Sequence, residues 1–140
     1  MTGRECFVDA NIFIYAHDVD EKAKHTTAKD LVQTFWNDPP FPSISIQVLQ
    51  ECYFNLIKKK IRPRVAFDIV DAYLDWHVII NDKTLLSESM LLHQKLQLSF
   101  WDAMIIAAAK SARTKYLLSE DFSHGQIIEG VKIINPFRHS

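Results

Sequence analysis

Short apolar runs alternate along this chain with longer segments in which apolar residues recur every three or four positions. Runs of the first kind predict strands buried in a sheet, and the second pattern predicts amphipathic helices. The predicted strands are 6–8, 43–45, 76–80, 116–118 and 131–134. The predicted helices are a short one beginning near residue 11, then 22–36, 46–60, 63–74, 83–96 and a last one opened by Ser99.

Residues that favour helix ends mark several of these boundaries. Asn11 is a candidate cap for the first short helix, and Asp9 is the alternative cap for the same helix. Pro63 suits the first turn of the helix that it opens. Ser99 and Asp102 match a capping box, in which a Ser side chain caps a helix whose third position is acidic.

The alternation of strands and helices predicts an α/β fold in which helices cover both faces of a parallel sheet. A chain of 140 residues has the usual size of one domain, and no repeat, low-complexity tract or linker interrupts the pattern. We therefore expect residues 1–140 to form a single domain. In sheets of this kind, ligands bind beyond the carboxyl ends of the strands.

Composition and charge narrow the range of functions. A formal net charge of −1 excludes a protein that coats nucleic acid through general basicity, so contacts to RNA would need a local basic patch or a bound metal ion. Cys6 and Cys52 stand in apolar settings without a CxxC partner, which predicts buried thiols in a reducing compartment. No secretory segment is recognisable, and no apolar run approaches the ~20 residues of a membrane helix, so we expect a cytoplasmic protein without membrane contact.

Four acidic residues lie where a ligand of such a sheet would bind. Asp9 ends the first predicted strand, and Asp121 follows the fourth. Asp102 falls in the first turn of the last helix, and Glu51 falls in the second turn of the third helix. All four side chains could therefore face one crevice at the carboxyl ends of the strands.

Each acid also has an ordinary structural explanation, as a helix cap, a capping-box member, a solvated helical Glu or a turn residue. Two features favour a shared site. Asp9 emerges directly from an apolar strand, and Asp102 precedes a helix that is apolar nearly all round. An ionised carboxylate beside such a core needs a partner, and few cationic residues lie nearby in the sequence. A hard divalent cation such as Mg²⁺ or Mn²⁺ suits carboxylate oxygens.

Several segments taken together resemble the PIN-domain family, with the closest likeness to the VapC-type toxins of bacterial toxin–antitoxin pairs. These segments are 7–11, 50–51, 99–109, 118–122 and 130–137. The resemblance implies a three-layer α/β/α fold with a central parallel sheet of four to five strands. It also implies an endoribonuclease that depends on Mg²⁺ or Mn²⁺ and hydrolyses the phosphodiester bonds of RNA.

The resemblance assigns roles to individual residues. The three candidate metal ligands, which are also candidate catalytic residues, are Asp9, Asp102 and Asp121. Glu51 matches a helical Glu that binds the ion through water or helps to deprotonate the attacking water. The residues that match polar side chains orienting those ligands are Asn11 and Ser119.

The resemblance further implies an RNA substrate, an antitoxin protein as partner and, in many members, a homodimer. Phe13, Ile14 and Tyr15 supply more apolar surface than a small monomer easily buries, which predicts a groove for a partner helix. The three tryptophans are expected in the core rather than as stacking platforms for RNA.

One basic run interrupts the otherwise balanced charge. It consists of Lys58, Lys59, Lys60, Arg62 and Arg64. One interpretation is a contact to RNA phosphates, which positions a substrate without specifying its sequence. The other interpretation is a solvated helix end, where cations interact favourably with the helix dipole.

Three other functions compete with the nuclease. A phosphohydrolase of the haloacid-dehalogenase kind would use Asp9 as nucleophile, but Asn11 stands where its proton-donating Asp should be. A receiver domain would place its acid at the end of a central strand, and Glu51 on a helix does not fit that requirement. The remaining alternative is a catalytically silent PIN-like module that binds RNA or protein. Loss of one or more acids would favour it, and all four are present.

Overall fold

The computed structural model describes residues 1–138, and residues 139 and 140 of the predicted domain lie outside the described part. The strands are β1 (Cys6–Val8), β2 (Ser43–Ser45), β3 (His77–Ile79), β4 (Tyr116–Leu118), β5 (Ile127–Ile128) and β6 (Val131–Ile134). The helices are α1 (Ala10–Ala16), α2 (Ala23–Asn37), α3 (Ile46–Lys58), α4 (Pro63–Tyr73), α5 (Lys83–Lys95) and α6 (Phe100–Ser111). Short 3₁₀ turns cover Gly3–Glu5 and Val19–Glu21.

The strands form one sheet in the order β3-β2-β1-β4-β6-β5. All neighbouring pairs are parallel except β5 and β6, which form an antiparallel hairpin. The predicted count of four to five strands was therefore wrong by one. The missed strand has only two residues, and its turn places Glu129 and Gly130 at φ values of +50° and +83°. Such positive φ angles at both central residues are what a tight two-residue hairpin requires.

Helices cover both faces of the sheet, as predicted. The chain moves from β1 to β2 and on to β3 in one direction, and then returns across the sheet to β4. Because such crossovers are right-handed, this reversal puts α1–α4 on one face and α5 and α6 on the other. The packing agrees, since α1 contacts α2 and α3 while α5 contacts α6. The reversal also makes the space between the carboxyl ends of β1 and β4 the expected ligand site.

The core lies on both sides of the central strands. β1 is buried at every position, and in α6 the run Ala103–Ala109 is buried as well. Cys6 and Cys52 are buried free thiols, as predicted. The prediction that Phe13 lines an open groove was wrong, because its ring is fully buried between Tyr73 and Trp76 at centroid distances of 4.5 and 5.3 Å.

The ends of the helices follow their capping residues. Asp9, rather than Asn11, caps α1, and Asn11 lies inside the first turn of that helix. Ser99 caps α6 by accepting a hydrogen bond from the backbone N–H of Asp102, as the capping box predicted. Within residues 1–138, no helix combines the length and the apolar character needed to cross a membrane.

Candidate active site

Asp9 occupies the point where the first strand turns into the first helix. Its backbone N–H donates to the carbonyl of Leu118 at 3.0 Å, which extends the pairing of β1 with β4 by one residue. Oδ1 of Asp9 accepts from the N–H of Ala10 at 2.8 Å, and Oδ2 accepts from the hydroxyl of Ser119 at 2.7 Å. The side chain is therefore fixed from both strands that flank the expected ligand site.

The carboxylate of Asp9 is buried without a cation. Only 3% of the residue is exposed, and none of the ion pairs among residues 1–138 includes it. Burial raises its pKa to about 7, although the hydrogen bonds from Ser119 and Ala10 act in the opposite direction. The charges of Asp121 and Glu51 raise the pKa further, so these acids are close enough to repel Asp9.

Ser119 joins Asp9 to the loop that follows β4. The hydroxyl oxygen of Ser119 accepts a hydrogen bond from the backbone N–H of Asp121 at 3.0 Å. The same hydroxyl donates its own hydrogen bond to Asp9. Nδ2 of Asn11 lies 3.4 Å from the same hydroxyl and donates to Oδ2 of Asp121 at 3.2 Å. Asn11 and Ser119 thus fix the relative positions of the two acids, which is the arrangement expected of residues that orient ligands.

Glu51 reaches the same region from α3 through a residue that the sequence analysis did not single out. Nε2 of Gln47 donates to Oε1 of Glu51 at 3.0 Å and also to the backbone carbonyl of Trp101 at 3.3 Å. Gln47 is buried, and it ties α3 to the first turn of α6. The sequence does contain a signal for this contact, because Gln47 and Glu51 are four residues apart on one helix and side chains at that spacing lie on the same face.

Asp102 lies in the first turn of α6 and is partly exposed. Its charge contributes to a raised pKa of Asp121, after the larger effect of partial burial. The side chain of Asp102 forms no hydrogen bond or ion pair with any other residue in the described range. The neighbouring Trp101 is 63% exposed, so its predicted place in the core was wrong, whereas Trp76 is buried as expected.

The donors of this region suit a hard cation. Carboxylate and amide oxygens are its preferred ligands, and here Oδ1 of Asn11 is buried with no hydrogen-bond partner. The buried carboxylate of Asp9 also lacks a positive neighbour. Within residues 1–138, however, no three His, Cys, Asp or Glu side chains lie close enough together to form a complete metal-binding group. The four acids therefore lie around the carboxyl ends of the strands without converging on one point.

A second group of contacts, which the sequence pattern does not indicate, holds the loop after β4 against the α1–α2 face. Glu120 accepts hydrogen bonds from the hydroxyl of Tyr15 and from Nζ of Lys24, the latter at 2.9 Å. Nζ of Lys24 also lies 5.0 Å from the centre of the Tyr15 ring. Glu120 stands between Ser119 and Asp121 in the chain, so this anchor constrains both.

The basic run lies at the other end of α3. That helix starts at the carboxyl end of β2 and runs back along the sheet, so Lys59 is about 12 Å further along its axis than Glu51. Nζ of Lys59 pairs with Asp18 at 2.7 Å, and Arg64 lies 3.7 Å from the exposed Asp68. The structure therefore does not bring this run to the four acids.

Comparison with known proteins relates the chain to one protein family and to several solved structures. A family model described as the PIN domain matches residues 6–127. No curated protein sequence matches the chain significantly. Among solved structures, a sarcin-ricin loop cleaving toxin of Mycobacterium tuberculosis, VapC20, superposes with a TM-score of 0.62 at 22% identity, covering 83% of this chain and 89% of that one.

Two complexes contain chains with similar folds. A chain of a toxin–antitoxin complex from Klebsiella pneumoniae has a TM-score of 0.67 at 22% identity, over 94% of this chain and 97% of its own. A chain of VapBC2 from Rickettsia felis, bound to a fragment of promoter DNA, has a TM-score of 0.64 at 17% identity, over 91% and 96%. With a family match over most of its length and a sheet and helix arrangement of the same kind, the chain belongs to the PIN-domain family.

Proposed function

We propose that this protein is an endoribonuclease that uses Mg²⁺ or Mn²⁺ to hydrolyse phosphodiester bonds of RNA. One observation carries the proposal. Asp9 is a buried carboxylate without a cation, placed between the ends of β1 and β4 and close enough to other acids for their charges to raise its pKa. Membership of a family of nucleases supports the same interpretation. An acid kept in such a setting is a candidate for function rather than stability.

The surroundings of each residue suggest its role in the proposed reaction. Asp9, Asp102 and Asp121 are the proposed metal ligands, and the unpartnered Oδ1 of Asn11 is a further oxygen available beside them. A bound divalent ion would lower the pKa of a water molecule and offset charge on the scissile phosphate. Ser119 orients Asp9 through its 2.7 Å hydrogen bond. Glu51 accepts a hydrogen bond from Gln47, and its proposed role is to accept a proton from water.

The proton balance at Asp9 follows from its burial. With a pKa of about 7, this carboxyl is partly protonated at neutral pH, and a cation binds only the ionised form. Binding of the ion therefore releases a proton. Hydrolysis itself adds water to phosphorus as the bond to the leaving sugar oxygen breaks, so the water must lose a proton and the sugar oxygen must gain one, here from solvent. Glu51, half-exposed on α3, is the proposed acceptor.

We further propose that the protein is the toxin of a toxin–antitoxin pair. One structure with a similar fold is described as a toxin–antitoxin complex, another as VapBC2 bound to promoter DNA, and the third as a sarcin-ricin loop cleaving toxin. An antitoxin protein and a second copy of the chain are the proposed partners. The basic run, from Lys58 to Arg64, is proposed to contact RNA phosphates outside the cleavage site, since Lys58, Lys60 and Arg62 are exposed and form no ion pair among the described residues.

The function is tested by incubating the purified protein with structured RNA in Mg²⁺, in Mn²⁺ and in EDTA. We expect cleavage with either ion, none with EDTA, and none from Asp9→Asn or Asp102→Asn although both variants remain folded. Full activity of either variant would remove that residue from the site. Co-expression with the adjacent reading frame tests the toxin role separately, because a neighbour that neither binds nor relieves growth arrest would contradict it without affecting the nuclease.

A further inference from the structure

The first turn of α6 exposes a large aromatic side chain beside the candidate active site. Trp101 is 63% exposed, whereas Trp76 is 3% exposed. Trp101 directly precedes Asp102, so the Cα atoms of the two residues are about 3.8 Å apart. Its backbone carbonyl also accepts the hydrogen bond from Gln47, the residue that positions Glu51. An indole exposed to water loses the stabilisation that burial normally gives a Trp, which indicates a role for this side chain other than packing in the core.

The exposed ring is nevertheless held in place. Phe100 packs against it edge to face, at a centroid distance of 5.2 Å and an interplanar angle of 70°. Phe100 is itself half-buried and contacts the ring of His93 on α5 at 6.1 Å. The cap by Ser99 and the hydrogen bond from Gln47 both fix the peptide unit that joins Trp101 to Asp102. Little conformational freedom remains to be lost when a flat ligand stacks on the indole.

We propose that Trp101 is a substrate-binding residue that stacks on an unpaired nucleobase of the RNA next to the bond being cleaved. This inference rests on the proposed nuclease function and adds a substrate-binding residue to it. Bases in a duplex are already stacked on one another, and sequence-specific proteins reach bases of RNA mostly in loops, bulges and single strands. A phosphate held beside Asp102 by the proposed metal ion would therefore bring the base of a neighbouring unpaired nucleotide within reach of the indole.

The surroundings favour a base over a protein partner as the ligand of this ring. A protein that covered Trp101 would also cover the adjacent Asp102, whose side chain has no partner among residues 1–138. Burying that carboxylate would require a matching cation from the partner, because an unpaired buried charge is strongly unfavourable. A nucleobase can stack on the indole while Asp102 keeps its contact with water or a metal ion.

The first test compares Trp101 variants in RNA cleavage. Stacking on an aromatic side chain contributes about 1–3 kcal/mol per base, which corresponds to a loss of about 5- to 150-fold in kcat/KM for Trp101→Ala. Trp101→Phe should keep most of the activity, because it retains an aromatic face. Phe67→Ala is the matched control, since Phe67 is an aromatic residue of α4 that is 55% exposed. Its kcat/KM should equal that of the wild type.

A second measurement does not depend on cleavage. A short oligouridylate added in Mg²⁺ should quench part of the tryptophan fluorescence of the wild type and much less of that of Trp101→Phe, which retains Trp36 and Trp76. Both Trp101 variants should keep the thermal stabilisation by Mg²⁺, which shows that the acids are intact. If the wild type cleaves no RNA and gains no stability from metal, the proposed function fails, and the quenching still reports on the stacking.

The inference itself is overturned by either of two results. One is an active wild type whose kcat/KM does not change in Trp101→Ala. The other is quenching that persists unchanged in Trp101→Phe. Weaker binding of Trp101→Ala to a co-expressed antitoxin, with normal RNA kinetics, would assign the ring to a protein interface instead.

Discussion

The hydroxyl of Ser119 donates a 2.7 Å hydrogen bond to Oδ2 of Asp9. The two residues directly follow Leu118 and Val8, which face each other in the parallel pairing of β4 with β1. The register of β1 and β4 sets the separation of the two side chains, so the pairing of the sheet also determines this hydrogen bond of the site. It also stabilises the charged form of Asp9 against the effect of burial.

The first prediction concerns this hydrogen bond. Ser119→Ala removes the donor that lowers the pKa of Asp9, so that pKa should rise above its value of about 7 and metal binding should require a higher pH. We expect the curve of Mg²⁺-induced stabilisation against pH to shift upward by about one unit, a change comparable with one charge-assisted hydrogen bond. Ser123→Ala in the same loop is the control, and an identical curve for both variants would contradict the prediction.

The second prediction concerns stability without metal. The pKa of Asp9 is raised by folding from 3.8 to about 7, so the folded state binds more protons than the unfolded state between these values. The contribution of Asp9 to stability is therefore greatest at low pH and falls as pH rises through this range. Asp9→Asn removes this dependence. In EDTA, the melting temperature of Asp9→Asn minus that of the wild type should become more positive between pH 4 and pH 7. A difference that stays constant over this range would rule out the raised pKa of Asp9.

The third prediction concerns repulsion around Asp121. Partial burial and the charges of Asp102 and Glu120 raise its pKa, so the ionised form is disfavoured in the folded protein. Asp121→Asn should raise the melting temperature in EDTA by at most a few degrees, because Asp121 is partly exposed and solvent screens the repulsion. It should gain much less stability from Mg²⁺ than the wild type does.

Two variants control this experiment. Asp102→Asn should behave similarly, although it also alters the cap of α6 and is the less clean test. Asp71→Asn, an exposed acid of α4, should change neither quantity. A wild type indifferent to Mg²⁺, together with no gain in Asp121→Asn, would mean that the acids do not share a site.

The fourth prediction concerns the anchor on Glu120. Lys24→Met removes the 2.9 Å ion pair and should leave the loop that carries Ser119 and Asp121 less well fixed. Since Lys24 is partly exposed, the cost in unfolding free energy should stay within about 1 kcal/mol. Metal affinity should fall several-fold. Lys59→Met is the matched control, because it breaks an ion pair with Asp18 at the other end of the molecule. Equal metal affinities of both variants and the wild type would show that the anchor has no role in positioning.

The fifth prediction concerns the basic run at the end of α3. The triple variant Lys58→Gln, Lys60→Gln and Arg62→Gln should bind RNA less tightly, whatever the sequence of the RNA. The slope of log affinity against log salt should become shallower by about 0.7–0.9 for each phosphate that the variant no longer binds. Cleavage of a very short RNA should be unaffected, because these residues lie away from the acids. An unchanged slope would mean that the run is only a solvated helix end.

Much of the fold could be predicted because local rules and tertiary packing agree. The helix after Ser99 and the strands ending at Val8 and Leu118 have clear patterns, and the structure has them where they were expected. The hairpin of β5 was missed because two apolar residues carry no periodic signal. Phe13 was misassigned because the pattern of α1 does not reveal that α4 supplies Tyr73 to cover its ring.

The candidate site was predictable only in part. The order and spacing of the four acids were visible in the sequence, since each follows a strand or lies near the start of a helix. The spacing of Gln47 and Glu51 was visible as well. The contacts of Gln47 with Trp101 and of Lys24 with Glu120 were not, because these partners are 54 and 96 positions away. Exposure of Trp101 could not be predicted either, since a Trp beside an apolar helix is usually buried.

The hydrogen bond between Ser119 and Asp9 joins residues 110 positions apart in the chain. During synthesis, β1 and α1 leave the ribosome long before β4 exists, and domains generally fold as units once their chain is available. A nascent chain that ends before Ser119 holds Asp9 without its hydroxyl donor and without the last acid. The active site of the proposed endoribonuclease therefore forms only after the chain has been synthesised beyond Asp121, and a shorter nascent chain lacks it.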